Sequence, residues 1–143
     1  MVTFKDSIFI NAPVEKVIDY HTNPRINTKY WPSFEDVKDV EELPSGGKKD
    51  SWVYKMAVVR LEDTTETIEV IPNQRIVTKS KGGVESTFIY EYKPEGEGTR
   101  LSVEAEYIVP IPVLGKLAET IIVKMNKREG RTSLENLKDR LES

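Results

Sequence analysis

The sequence predicts an α+β fold in which one curved antiparallel sheet wraps around a long C-terminal helix. Most of the chain before Pro110 alternates polar and apolar residues with the period of a strand. Leu101 to Val109 does so most cleanly, with Leu101, Val103, Ala105 and Tyr107 on one side and Ser102, Glu104 and Glu106 on the other. One wet face is the mark of an antiparallel sheet. From Lys116 to Leu141 the chain has no proline and repeats apolar residues at helical spacing. A sheet curled around such a helix leaves a hollow between the two, and function is expected there.

The elements follow in order. Val2 to Ile10 reads as a strand with Phe4, Asp6, Ile8 and Ile10 on one side. Asn11-Ala12-Pro13 stops it, with Asn11 as helix cap and Pro13 in the first turn. Val14, Val17, Ile18 and Tyr20 give a short helix, broken by Thr22-Asn23-Pro24. Arg25 to Tyr30 forms a second short helix, ended by Trp31-Pro32. Phe34 to Leu43 is charged and reads as an edge strand, followed by the turn Pro44-Ser45-Gly46-Gly47.

Asp50 to Arg60 reads as one strand with Trp52, Tyr54, Met56, Val58 and Arg60 on one face. Leu61 to Ile71 continues with Thr64, Glu66, Ile68 and Val70 in register. Arg75 to Ser80 and Val84 to Lys93 follow, the latter placing Ser86, Phe88, Tyr90 and Tyr92 together. The terminal helix carries an apolar stripe of Leu114, Leu117, Ala118, Ile121, Ile122 and Met125, resumed at Leu134, Leu137 and Leu141. Gly130 interrupts it. It reads either as tight packing against the sheet or as room made for something beside the helix.

With 143 residues, 38% of them hydrophobic, the chain fits one domain, residues 1–143. Its 24 acidic and 21 basic residues give a net charge of -3, and no basic stripe offers a grip on nucleic acid. The absence of cysteine excludes disulfides and thiolate metal sites and fits a reducing cytoplasm. No apolar run approaches the length of a membrane span, so no stable membrane insertion is expected. No residue spacing calls for a metal or a cofactor. Oligomeric state has no signature in the sequence.

Ser7-Ile8-Phe9-Ile10-Asn11-Ala12-Pro13-Val14-Glu15-Lys16-Val17, the pairs Asp19-Tyr20 and Asn23-Pro24 before Tyr30-Trp31-Pro32, and Glu95-Gly96-Glu97-Gly98-Thr99-Arg100-Leu101 carry a resemblance. Over the whole chain the sequence resembles the SRPBCC superfamily, also called START-like or helix-grip proteins, and in particular its polyketide cyclase/dehydrase-like branch. The resemblance implies a seven-stranded antiparallel sheet gripping a C-terminal helix around a cavity. It implies apolar ligands such as lipids, polyketides or quinones. Relatives include carriers, cyclases, hydrolases and protein-binding modules, so fold alone does not choose among them.

The expected cavity walls are Trp52, Tyr54, Met56, Phe88, Tyr90 and Tyr107 from the sheet, with Ile121 and Met125 from the helix. Each alone is an ordinary core residue; as a set they suit a pocket with apolar walls and a few polar tips. Glu66 shares a face with Ile68 and Val70 and reads as a proton acceptor or polar anchor with Arg60 as partner. Its rival readings are a structural ion pair, or a register slip that puts it in water. His21, the one histidine, reads as a surface residue. Asn27-Thr28-Lys29 and Val109-Pro110-Ile111-Pro112 are expected to border an entrance.

The expected function is binding or transport of a small hydrophobic or amphipathic ligand. The alternatives are a cyclase, dehydratase or hydrolase using the same cavity, or a protein-interaction module.

Overall fold

Residues 2–56, 59–109 and 119–143 are described by a computed structural model. The strands are β1 (Val2–Ile10), β2 (Phe34–Glu42), β3 (Lys48–Met56), β4 (Val59–Ile71), β5 (Arg75–Lys81), β6 (Ser86–Glu95) and β7 (Gly98–Tyr107). The helices are α1 (Val14–His21), α2 (Asn27–Tyr30) and α3 (Glu119–Glu142), with a 3-10 turn at Pro24–Ile26. Among these residues no helix is long and apolar enough to cross a membrane.

All seven strands form one antiparallel sheet in the order β1-β7-β6-β5-β4-β3-β2. The sheet is curved and grips α3, which is the helix-grip fold. Hairpins join β2 through β7 in sequence, and α1 and α2 carry the chain from one edge of the sheet to the other. Pro13 occupies the N-cap of α1 without a side-chain cap. Asn11 is therefore not the cap; its N–H donates instead to the Glu142 carboxylate at the end of α3.

The edge strand β2 breaks register twice and holds Asp39 at a φ of 54°. These irregularities space its half-buried residues Phe34, Val37 and Val40 by threes. Together with its charges, they blunt an edge that would otherwise pair with another chain.

α3 lies along β1. Arg131 reaches Asp6 and the Ser7 carbonyl, and Lys138 donates to the Phe9 carbonyl at 2.8 Å. Its buried side is Ile122, Gly130, Ser133, Leu134, Leu137 and Leu141, with Asn126 half-buried between them. Steps of three and four residues keep these on one face. Ile121 and Met125, expected there, are 63% and 48% exposed. They stand about 100° around the helix from Ile122 and Asn126. The stripe positions Leu114, Leu117 and Ala118 lie outside the described residues.

Two apolar clusters flank the interior. One joins Ile8, Ile10, Val17, Leu101, Leu134 and Leu137 under α1. The other joins Trp52, Tyr54, Leu61, Val84, Tyr107 and Ile122. Buried Asp63 anchors the β5–β6 turn by accepting the N–H groups of Gly83 and Val84 at 2.9 and 2.8 Å. Between the two clusters the interior is open.

Candidate functional site

The opening is a cavity of about 400 Å³ between the concave sheet face and α3. That volume lies within the range of small-molecule sites, roughly 300–1,000 Å³.

Strand register builds its floor. The pairings Asp50↔Thr65, Thr65↔Ser80, Ser80↔Ser86 and Ser86↔Tyr107 place one polar row across five strands. A second row runs Thr67, Thr78, Phe88, Ala105 and Phe4. Every member of both rows borders the cavity. Members of a row stand about 4.8 Å apart, the spacing of adjacent strands, and the second row lies two residues along each strand from the first, so a line of hydroxyls runs beside a more apolar line. In the first row Trp52 Nε1 donates to Thr65 Oγ1 at 2.5 Å, and Thr65 Oγ1 and Ser80 Oγ share a hydrogen bond of 2.5 Å.

Aromatic rings form the walls. Phe34 stacks on Trp52 with centroids 4.9 Å apart, and Tyr54 meets both edge-on. Trp31 contacts Phe34 and Phe88, Phe88 stacks on Tyr90, and Tyr90 meets the His21 ring at 4.5 Å. Such offset and edge contacts are the favoured aromatic geometries. From the helix side, Asn126 closes the wall. Its amide donates to Tyr107 Oη at 3.2 Å and accepts from Tyr54 Oη at 3.4 Å.

Of the expected walls, Trp52, Tyr54, Phe88, Tyr90 and Tyr107 border the cavity. The Met56 side chain lies outside what is described. Ile121 is exposed and does not border it, and Met125 faces a separate surface cleft beside Pro32 and Ser33.

Glu66 does not reach the site. It is exposed on the outer face, in register with Lys49 and Lys79. The cause is the pairing Met56↔Val59, which leaves only two residues between β3 and β4. A hairpin that short pairs even positions with odd ones, so Leu61, Asp63, Thr65 and Thr67 turn inward and Glu66 outward. A bulge between Thr67 and Glu69 restores Val70 to the cavity. Arg60 is also exposed and pairs with Glu35 at 2.6 Å, not with Glu66.

The titratable groups at the cavity are others. His21 is buried, contrary to its surface reading, and shares a 2.6 Å hydrogen bond with Tyr92 Oη. Burial pushes its pKa down to about 4, so it is neutral at pH 7. Asp50 is 5% exposed, and its Oδ2 is buried with no hydrogen-bond partner. Burial raises it to about 6. Trp31 Nε1 is a buried donor, likewise without a partner. Sequence reasoning passed over both: Asp50 stands at a strand start and Trp31 in a loop. The parity of Asp50 with Trp52 and Tyr54 was the available signal.

The exposed lining residues mark the mouth. They come from the β2–β3 turn at Gly46, the β4–β5 turn at Ile71, Pro72 and Asn73, and Asp19 of α1. Thr28 and Lys29 do not border the cavity, and Pro110 to Pro112 lie outside the described residues. Among the described residues no group of carboxylates and histidine is arranged to hold a metal.

Comparison with known proteins gives the following. The family model described as "Polyketide cyclase / dehydrase and lipid transport" matches residues 1–142. No curated protein matches the sequence. Among solved structures, a protein of Thermus thermophilus superposes with a TM-score of 0.84 at 22% identity, over 98% of this chain and 97% of that one. The Zhui aromatase/cyclase from a Streptomyces species gives 0.80 at 13%, over 99% and 93%. A START superfamily protein from Mycobacterium smegmatis gives 0.66 at 18%, over 91% and 96%. At these identities the likeness is one of fold.

Proposed function

The chain belongs to the polyketide cyclase/dehydrase and lipid transport family, and from that membership we propose that it binds a flat apolar or amphipathic small molecule inside its cavity. The observation that carries this reading is the cavity itself: about 400 Å³, walled by stacked aromatic rings, with a row of hydroxyls on its floor. Binding would be driven by removal of apolar ligand surface from water, worth roughly 25 cal/mol per Å². The hydroxyl row and Asn126 would fix orientation, since a few placed polar groups in an apolar pocket supply specificity.

Asp50 supports a second, catalytic reading. A carboxylate whose pKa is raised to about 6 is poised to exchange a proton near neutral pH. This is the group a cyclase, dehydratase or hydrolase would use here, in place of Glu66 and Arg60. An interaction module has less support, because an open interior serves no purpose in it.

Native mass spectrometry of gently purified protein, followed by solvent extraction, tests the binding reading. A stoichiometric adduct that is released by denaturation is expected. Repeated absence of any adduct, with no uptake of added naphthalene-class compounds, would refute it.

A further inference from the structure

Asn126 borders two spaces at once: the cavity, and the surface cleft beside Pro32 and Met125. The cleft holds about 300 Å³ against about 400 Å³ for the cavity. Around Asn126, residues adjacent in the chain divide between the two. Tyr54 lines the cavity and Lys55 the cleft. Trp31 and Phe34 line the cavity, while Ser33 between them lines the cleft. On α3, Gly130 lines the cavity and Glu129 the cleft. The wall between the two spaces is therefore one residue thick.

Two sets of hydrogen bonds hold this wall shut. On the inner side the Asn126 amide donates to Tyr107 Oη at 3.2 Å and accepts from Tyr54 Oη at 3.4 Å. The first is at the long end of the usual range and the second beyond it. On the outer side the Glu129 carboxylate accepts the Ser33 N–H at 3.1 Å and also the Ser33 hydroxyl. Hydrogen bonds to an ionised group are the stronger kind, so the Ser33–Glu129 pair is the main restraint. Tyr54 also interacts with Ser33, which joins the two sets. The Ser33 carbonyl is tied to β3 by the Lys55 N–H at 2.9 Å. Release of Glu129 would thus part α3 from the loop while the loop stays on the sheet.

The residue in the wall suits opening. An apolar side chain would seal this position by packing alone. An amide that turns outward meets water in the cleft, so opening leaves no buried polar group without a partner. We infer that this wall is a second ligand port, opened by separation of Ser33 from Glu129 and outward rotation of Asn126, and that ligand exchanges through the cleft as well as through the mouth. The inference rests on the cavity-binding reading above and adds a route to it.

The test is stopped-flow mixing of the full chain with 1-anilinonaphthalene-8-sulfonate, the dye being excited directly. Glu129→Ala should raise the association and dissociation rates together, each at least about fivefold, with Kd within about twofold of wild type. Ser33→Ala removes one of the two outer bonds and should act in the same direction, which provides a second variant should the first fail to fold. Met125→Trp, at an exposed site that lines the cleft, should slow exchange at least about threefold. Placed in the Glu129→Ala protein, it should reverse the acceleration.

Wild-type rates in all three single variants would overturn the inference and leave binding through the mouth standing. Acceleration that Met125→Trp does not reverse would overturn it as well, since it would mark a general loosening of the fold. So would a faster dissociation with unchanged association, which would make Glu129 a determinant of affinity and not of passage. Absence of saturable dye binding in wild type would sink the cavity reading and this inference with it.

Discussion

Gly130 of α3 lies so close to Phe4 of β1 that a Cβ on the glycine would sit 2.6 Å from Phe4 Cζ. Both residues border the cavity. The glycine thus does two things at once: it lets the helix approach the sheet, and it leaves the ring where it is. Gly130→Ala would force the ring aside, and the open space beside it gives the ring somewhere to go. Alanine also favours the helix by about 1 kcal/mol. Stability by urea melting should therefore stay within about 1 kcal/mol of wild type, while affinity for a cavity ligand falls as Phe4 moves in. Unchanged affinity would show that the ring does not respond.

Asn126 joins Tyr54 and Tyr107 through one amide. Asn126→Ala removes both partners and leaves two tyrosyl hydroxyls to the cavity. A loss of about 1–2 kcal/mol is expected, read from the denaturant midpoint. Asn126→Leu should lose a similar amount, because the missing element is the amide and not its volume. A leucine variant as stable as wild type would assign Asn126 no role in holding the wall.

His21 and Asp50 act on the pH dependence of stability with opposite sign. Burial lowers His21 from 6.5 to about 4 and raises Asp50 from 3.8 to about 6. Between those limits unfolded His21 is protonated and folded His21 is not, so stability from this group is lost as pH falls from 6.5 toward 4. Folded Asp50 keeps a proton that the unfolded chain has released, so its contribution is present at low pH and is lost as pH rises from 3.8 through 6. Each effect reaches about 3 kcal/mol across its window. Tyr30, Tyr90 and Tyr92 around them are held above 10 and stay neutral.

Relative to wild type, Asp50→Asn should lose more stability on acidification, and His21→Phe should lose less or gain. Urea melts at pH about 4.5 and about 7 decide this. Profiles parallel to wild type would mean that neither group titrates in that window.

Glu66→Gln and Arg60→Ala should leave ligand affinity unchanged and stability within about 0.5 kcal/mol, as surface substitutions do. A tenfold loss of affinity in either would place the outer face of β4 in the site.

That last pair also shows where the sequence was legible. The strand alternation of β6 and β7, the two short helices and the helix-grip arrangement could all be read from it. So could the sheet-side rings Trp52, Tyr54, Phe88, Tyr90 and Tyr107. Glu66 was misplaced because Ala57-Val58 carries none of the glycine, asparagine or proline that usually announces a hairpin. With no visible break, the parity of β3 carries into β4, and every side chain there changes face.

The helix misleads for a related reason. Its stripe is drawn by hydrophobicity, but the face toward the cavity is occupied by Asn126 and Gly130, so Ile121 and Met125 pull the reading around the helix. His21 reads as exposed because its neighbours Thr22 and Asn23 are polar. Its burial depends on Tyr90 and Tyr92, far along the chain.

The protein carries its own reporter of an open, ligand-accepting cavity. Its two tryptophans, Trp31 and Trp52, both border that space. Titration with 1-anilinonaphthalene-8-sulfonate should give saturable energy transfer from tryptophan to one bound dye. Thr78→Phe, which fills the floor, should reduce dye affinity at least about tenfold while the protein stays folded. No saturable transfer in wild type, or undiminished binding in a folded Thr78→Phe protein, would show that the interior takes up no ligand.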